Sequence, residues 1–329
     1  MKKILLLILF FIVVIVTASF VYLFVGFGSP SESITWGVNY SPKHAKAMGL
    51  DWKATYSALL DDLGARNLKV AVHWDDVHIK KDEFDFQNTD WLMEQAEMRG
   101  AKVLLVIGMK TPRWPECHVP DWAENLSKEE QQGAILSMLG EVVDRYKDNL
   151  ALWGWQVENE PFFLYGECPW KDDDFLKEEV KLVRSLDSEH PVVVSDTGEF
   201  SLWMKAASVA DMVGVTMYRK VWFSQFNMYV SYPFPSVYYS RRADLIEALF
   251  GKKVIGVEVQ AEPWGPGLLY NVSVEEQKKT MTLERFRKNI EFAKNTGLDT
   301  LYLWGGEWWY WMREVEGDES IWNEAKKLF

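Results

Sequence analysis

The stretch Trp155-Gln-Val-Glu-Asn-Glu-Pro161 puts Asn159, Glu160 and Pro161 directly behind the apolar run Leu150 to Val157. Such a run reads as a buried strand, so the Glu160 carboxyl stands where a strand opens into its loop. A second acidic strand end follows much later, in Lys253-Val-Ile-Gly-Val-Glu-Val-Gln-Ala-Glu-Pro-Trp264. Carboxyls on two separate strand ends can cleave a glycosidic bond, one as acid and base, the other as nucleophile; covalent attack needs them about 5 to 5.5 Å apart. The proton donor must be held above its ordinary pKa, and partial burial beside another carboxylate does that. Glu160 is the acid/base candidate. For the nucleophile both Glu258 and Glu262 are in reach, and Glu258 is favoured as the last inward residue of its strand. Glu262 is then a substrate contact or support, and Glu158 belongs one layer behind the chemistry.

Positioning these groups falls to an alternation of short apolar runs and longer helical stretches, the signature of βα repeats around a parallel sheet. Eight strands are predicted: Thr35 to Asn39, Leu68 to His73, Lys102 to Gly108, Ala151 to Val157, Val192 to Ser195, Met212 to Met217, Val254 to Val259 and Thr300 to Trp304. Helical periodicity fills the gaps at 52–63, 90–99, 128–146, 174–186, 202–208, 240–250, 282–295 and 321–329, with start signals at Ser127 and Thr282. An open doubly wound sheet competes with a closed barrel. Eight strands with acids at their carboxyl ends suit a (β/α)8 TIM barrel better, and no glycine-rich phosphate loop follows a strand. The aromatic and Pro-rich connection Tyr218 to Tyr239 is long enough to roof or wall a cleft.

The order strand, Asn-Glu-Pro, strand, Glu resembles glycoside hydrolase clan A, the retaining barrel glycosidases that include families 5 and 42. The resemblance implies an acid/base after the fourth strand and a nucleophile after the seventh. It also implies that Asn159 bonds a sugar 2-hydroxyl, that Tyr218 at the end of the sixth strand bonds the nucleophile, and that Trp304 floors the sugar site. Trp114, in Thr-Pro-Arg-Trp-Pro-Glu, is similar to the Pro-x-Trp that lines a subsite in these enzymes. At the second strand's end, where many clan members carry Arg or His, this chain offers His73 and Trp74. Trp264 completes the expected substrate contacts, while Asn39 and Tyr40 are weaker candidates. For each aromatic, burial in the core is the competing reading.

From Ile4 to Phe27 the chain is almost continuously apolar, long enough to cross a bilayer. Lys2 and Lys3 precede it and no Lys or Arg follows until Lys43, which places the remainder outside the cytoplasm. We therefore expect a signal anchor over residues 1–27, a linker over 28–33 and the barrel over 34–329, with a secreted product of cleavage after Ala18 as the alternative. Cys117 and Cys168 follow neighbouring strands, and in an exported domain they can pair, although two unrelated thiols remain the alternative. A net charge of −12 and a pI near 5.0 argue against nucleic acid as a partner. The scattered His residues show no metal-ligand spacing, and the proposed reaction needs no cofactor. Tryptophan is plentiful, at 17 residues, which suits stacking on sugar rings. The expectation is a retaining β-glycosidase acting on β-linked oligo- or polysaccharide. The alternatives are a glycan-binding barrel without catalysis and a transglycosylase using the same residues.

Overall fold

The computed structural model describes residues 2–329. Eight parallel strands close a barrel: β1 (Thr35–Tyr40), β2 (Asn67–Ala71), β3 (Lys102–Ile107), β4 (Leu152–Val157), β5 (Val192–Asp196), β6 (Met212–Met217), β9 (Lys253–Gln260) and β10 (Thr300–Trp304), with β10 pairing back to β1. Strands in such a barrel are covered on both faces, which is why β3 and β5 read as nearly unbroken apolar runs. Inside the barrel Leu104, Val193, Ile255, Val257 and Tyr302 pack as one cluster. The Tyr302 ring fills the space over Gly37, where a Cβ would lie 2.4 Å from its Cδ1. A larger apolar layer lies between the strands and the surrounding helices.

The helices start where the sequence signals them. Ser127 and Glu130 form a reciprocal capping box on helix Lys128–Tyr146, and the Thr282 hydroxyl accepts from Arg285 N–H at the head of Leu283–Lys294. Two readings differ from the structure. The connection after β6 is not all loop: Lys220–Phe223 (β7) and Met228–Ser231 (β8) pair as an antiparallel hairpin whose turn ends at Asn227, with φ at 48°. The helix expected from Ser240 begins four residues earlier, at Ser236, with the extended residue Pro235 preceding its first turn. Trp308 and Trp309 sit in a helix, Gly306–Glu314, that periodicity did not reveal.

Helix Lys2–Phe24 projects from the barrel, apolar and unburied over Lys3–Phe24, with mean hydropathy 3.3. It is apolar and long enough to be a transmembrane helix. Only its last turn touches the barrel, where Phe24 stacks on Tyr238 at 4.8 Å between ring centroids.

Candidate active site

At the end of β4 the backbone leaves the strand through two non-glycine residues in the left-handed region, Glu158 at φ 59° and Glu160 at φ 43°. Side chains rarely tolerate this, so neighbours must hold it in place. Glu158 turns away from the barrel axis, where its carboxylate accepts from Met109 and Lys110 N–H at 2.7 Å each. Gly108 makes room for it, since a Cβ there would lie 2.3 Å from Glu158 Oε1. Glu179, buried beside it, is pushed well up by burial and then by the Glu158 charge. Glu160 N–H donates to Ser195 Oγ on β5 at 2.8 Å, and the Lys110 ammonium donates to the Glu160 carbonyl at 3.0 Å. Held this way, the Glu160 carboxyl faces the barrel mouth and accepts from Thr216 Oγ1 at 3.0 Å. Burial, then the nearby charge of Glu258, raises its pKa well above the usual carboxylate range.

On β9 strict alternation would turn Glu258 outward, because Ile255 and Val257 both belong to the barrel interior. A bulge corrects this. Gly256 pairs with Val215 and Glu258 with Thr216, leaving Val257 as the extra residue. Asn39 on β1 stitches the bulge by donating to the carbonyls of Val257 and Leu303, at 3.0 and 3.1 Å. The Glu258 carboxylate thereby reaches two donors, Lys69 Nζ at 2.9 Å and Tyr218 Oη at 2.8 Å. Lys69 comes from β2, is almost wholly buried, and pairs with Glu258 inside the barrel.

Glu262 is occupied differently. Arg113 grips it with both terminal nitrogens, reaches Glu307 at 2.9 Å, and lies 3.9 Å over the Trp304 ring. Burial raises the Glu262 pKa and the Arg113 charge opposes the rise. Asn159 is likewise fixed: its amide oxygen accepts from Gln156 Nε2 at 3.1 Å, and its amide nitrogen donates to Glu116 Oε2 at 3.2 Å. Glu116 and Glu199, both buried, are each pushed up to about 7, by burial first. Glu199 accepts from Tyr218 N–H at 2.7 Å and Tyr239 Oη at 2.8 Å, which fixes the backbone at the end of the sixth barrel strand.

Among the aromatics, Trp264 meets the Tyr218 ring edge-on at 4.9 Å and lies 5.8 Å from Tyr165, forming one wall. Trp114 is partly exposed beside Tyr165. His73 and Trp74 do not join the glutamates. His73 is bonded to Thr111 and Ser41 and lies tilted against His118, while the Trp74 indole donates to His78. Trp308 and Trp309 are core residues, bonded to Gln277 and to the Ala261 carbonyl. A disulfide joins Cys117 to Cys168, tying the loop after β3 to the loop after β4 beside Glu116.

Lys69, Arg113, Glu116, Glu199 and Glu307 were not singled out by sequence reasoning. Lys69 had a usable signal: it is a lone cation in the apolar strand Leu68-Lys-Val-Ala71, and a buried cation demands an acidic partner. Arg113, Glu116 and Glu199 sit in irregular loops whose course no local pattern sets, and Glu307 opens the helix Gly306–Glu314 that periodicity did not reveal.

A closed (β/α)8 barrel with a cluster of buried carboxyls at its carboxyl-end mouth defines the class of this chain. Xylanase 10B from Thermotoga maritima superposes with a TM-score of 0.60 at 16% identity, covering 90% of this chain and 94% of its own. An endo-β-1,4-mannanase from Thermotoga petrophila gives 0.59 at 16% identity, over 91% of this chain and 77% of its own. A β-galactosidase from the haloarchaeon Halorubrum lacusprofundi gives 0.60 at 15% identity over 90% of this chain. The chain spans 57% of that galactosidase's length. At these identities the likeness is one of fold, a (β/α)8 barrel. No family model matches the sequence, and no curated protein matches it either.

Proposed function

We propose that this chain is a retaining β-glycoside hydrolase whose barrel, residues 34–329, is carried outside the cytoplasm by an uncleaved anchor over residues 1–27, with 28–33 as connector. One observation carries the reading: two carboxyls at one barrel mouth have opposite surroundings, Glu258 ion-paired to Lys69 and Glu160 buried with no ion pair among the described residues, its pKa raised by burial and by the charge of Glu258. Glu258 attacks the anomeric carbon as the carbon–oxygen bond to the leaving group breaks, and Glu160 gives that oxygen its proton. Glu160, now a carboxylate, takes a proton from water as the water oxygen displaces Glu258, which restores both groups. Asn159 and Tyr218 bond the sugar ring's neighbourhood, Trp304 and Trp264 stack on it, and Trp114 lines an outer subsite. Glu262 orients Arg113 against Trp304. The solved neighbours named as xylanase, mannanase and galactosidase support β-linked substrates.

The test is a screen of the purified chain against β-linked oligosaccharides and aryl β-glycosides, with product configuration read by proton NMR. Retention at the anomeric carbon supports the double displacement, and inversion overturns it. A mass increase on the Glu258 peptide after treatment with an activated 2-deoxy-2-fluoro glycoside identifies the nucleophile. If Glu262 carries the label instead, the assignment fails. No turnover of any β-glycoside leaves a carbohydrate-binding barrel.

A further inference from the structure

Three connections at the barrel mouth expose large apolar side chains: Phe163 and Leu164 after β4, Phe200 after β5, and Phe226 at the hairpin turn. Leu164 is 84% and Phe226 72% exposed, and Phe200 is 55% exposed. Isolated exposed apolars need no explanation, but Phe163 and Phe200 are joined to one another and to further rings, while Phe226 stacks on Phe223 at the hairpin. Phe200 lies 6.3 Å from Phe163 and 6.1 Å from Phe234, and Phe234 lies 6.3 Å from Phe24, in the last turn of the N-terminal helix. In the other direction Phe163 leads to Tyr165 at 6.4 Å and Tyr165 to Trp264, whose ring abuts Tyr218 and hence Glu258. A continuous path of rings thus runs from the end of the anchor to the nucleophile.

We propose that this apolar apron rests on the bilayer surface and brings the cleft to β-glycosides carried by membrane lipids. The inference depends on the reading of the N-terminal helix as an uncleaved anchor and deepens the glycosidase reading. At 1.5 Å per residue, the 22 residues Lys3–Phe24 extend about 33 Å, close to the roughly 30 Å of a bilayer's hydrocarbon. Phe24 therefore emerges at the interface, and its stacking on Tyr238 and tilted contact with Phe234 hold that side of the barrel against the headgroups. Aromatic rings favour this depth, with their faces among acyl chains and their edges toward water. The chain's net charge of −12 does not favour attraction to anionic headgroups, so apolar burial supplies the contact, and salt should not weaken it.

The test uses the full chain in phosphatidylcholine–phosphatidylglycerol vesicles, with a nitroxide on Phe200→Cys or Phe226→Cys; the native cysteines are paired and do not react. Both labels should be accessible to oxygen and shielded from a water-soluble nickel chelate, at low and high salt, while a label on Glu129→Cys stays water-exposed. Water-like behaviour at positions 200 and 226 overturns the proposal. For the substrate, wild type is compared with the triple variant Leu164→Ser, Phe200→Ser, Phe226→Ser. Hydrolysis of a hexadecyl β-glycoside embedded in the vesicles should fall tenfold or more, with the p-nitrophenyl glycoside of the same sugar unaffected. An unchanged ratio overturns the lipid-borne substrate. If wild type hydrolyses neither, the glycosidase reading has failed, and the labels alone decide the membrane contact.

Discussion

The carboxyl-terminal ends of β4 and β9 each present a glutamate to one mouth, yet the protein equips them differently. Glu258 receives an ammonium and a phenol, Lys69 and Tyr218, and no other charged side chain hydrogen-bonds to it. Among the described residues the Glu160 carboxyl receives only the Thr216 hydroxyl, while Lys110, whose charge opposes the rise in the Glu160 pKa, spends its protons on the backbone carbonyls of Glu160 and Phe163. The difference lies in what supports each strand end. β9 meets a cation planted deep in β2 that bonds the carboxylate itself, whereas at the end of β4 the Lys110 ammonium and the Ser195 hydroxyl bond the backbone of Glu160 rather than its carboxyl. In the proposed mechanism these surroundings are what would give two identical side chains the roles of anion and acid.

Removing the anion breaks the comparison most severely. Glu258→Gln should lower kcat by about 10⁴-fold or more, because no neighbour can form the covalent intermediate: Glu262, the other carboxyl on this segment, is held by Arg113. A loss below tenfold in steady-state assays would move the nucleophile elsewhere. Glu160→Gln should cost about 10² to 10⁴-fold on substrates with poor leaving groups, and less on aryl glycosides, whose leaving group needs little protonation. The pH profile sharpens the point. Glu160 works protonated, so the wild-type rate should fall as pH rises through its elevated pKa, and the variant should lose that alkaline limb. If the limb persists in Glu160→Gln, another group supplies the proton.

Lys69→Met tests the other half of the contrast. It leaves the Glu258 carboxylate buried without its cation, which should cost about 3 to 5 kcal/mol of stability, measured by urea unfolding. The surviving folded enzyme should lose about 10² to 10³-fold in kcat, the scale of losing one well-aimed electrostatic partner. Lys69→Arg should recover part of both. Full activity in Lys69→Met would show that Tyr218 alone suffices to orient the nucleophile.

Both glutamates could be singled out from sequence because strand ends are the part of a barrel that local pattern does reveal. An apolar run followed by a polar motif marks them whatever the loops do, and all eight barrel strands lie where such runs stand. Inward or outward direction was less legible. Glu258 points inward through a bulge at Val257 that alternation alone does not foresee. The partners were hidden for a related reason. Arg113 and Glu116 occupy a loop held at positive φ, 89° and 74°, and fastened through Cys117 to the next loop, so their placement depends on contacts distant in sequence. His73 was drawn toward the site by its position at a strand end. The structure gives its two ring nitrogens to Thr111 and Ser41, and Lys69, lower on the same strand, reaches the glutamate instead.

Glu116 offers the smallest effect and the finest test. Its carboxyl is raised from an ordinary 4.5 to about 7 by burial, and its charge in turn raises Glu160. A carboxyl that holds its proton more tightly when folded gives stability that is full below pH 4.5 and lost as pH rises through about 7. The displacement corresponds to about 3 kcal/mol at 1.36 kcal/mol per pKa unit. Glu116→Gln keeps an oxygen to accept from Asn159 and carries no proton to lose. The variant should therefore match wild type near pH 4.5 and exceed it by up to about 3 kcal/mol at pH 8.5, read as a higher urea midpoint. Removing the Glu116 charge also lets Glu160 release its proton more readily, so the alkaline limb of activity should move to lower pH. If stability rises while the limb stays where it was, Glu116 is electrically isolated from the acid, and Glu258 alone sets the pH at which Glu160 can serve.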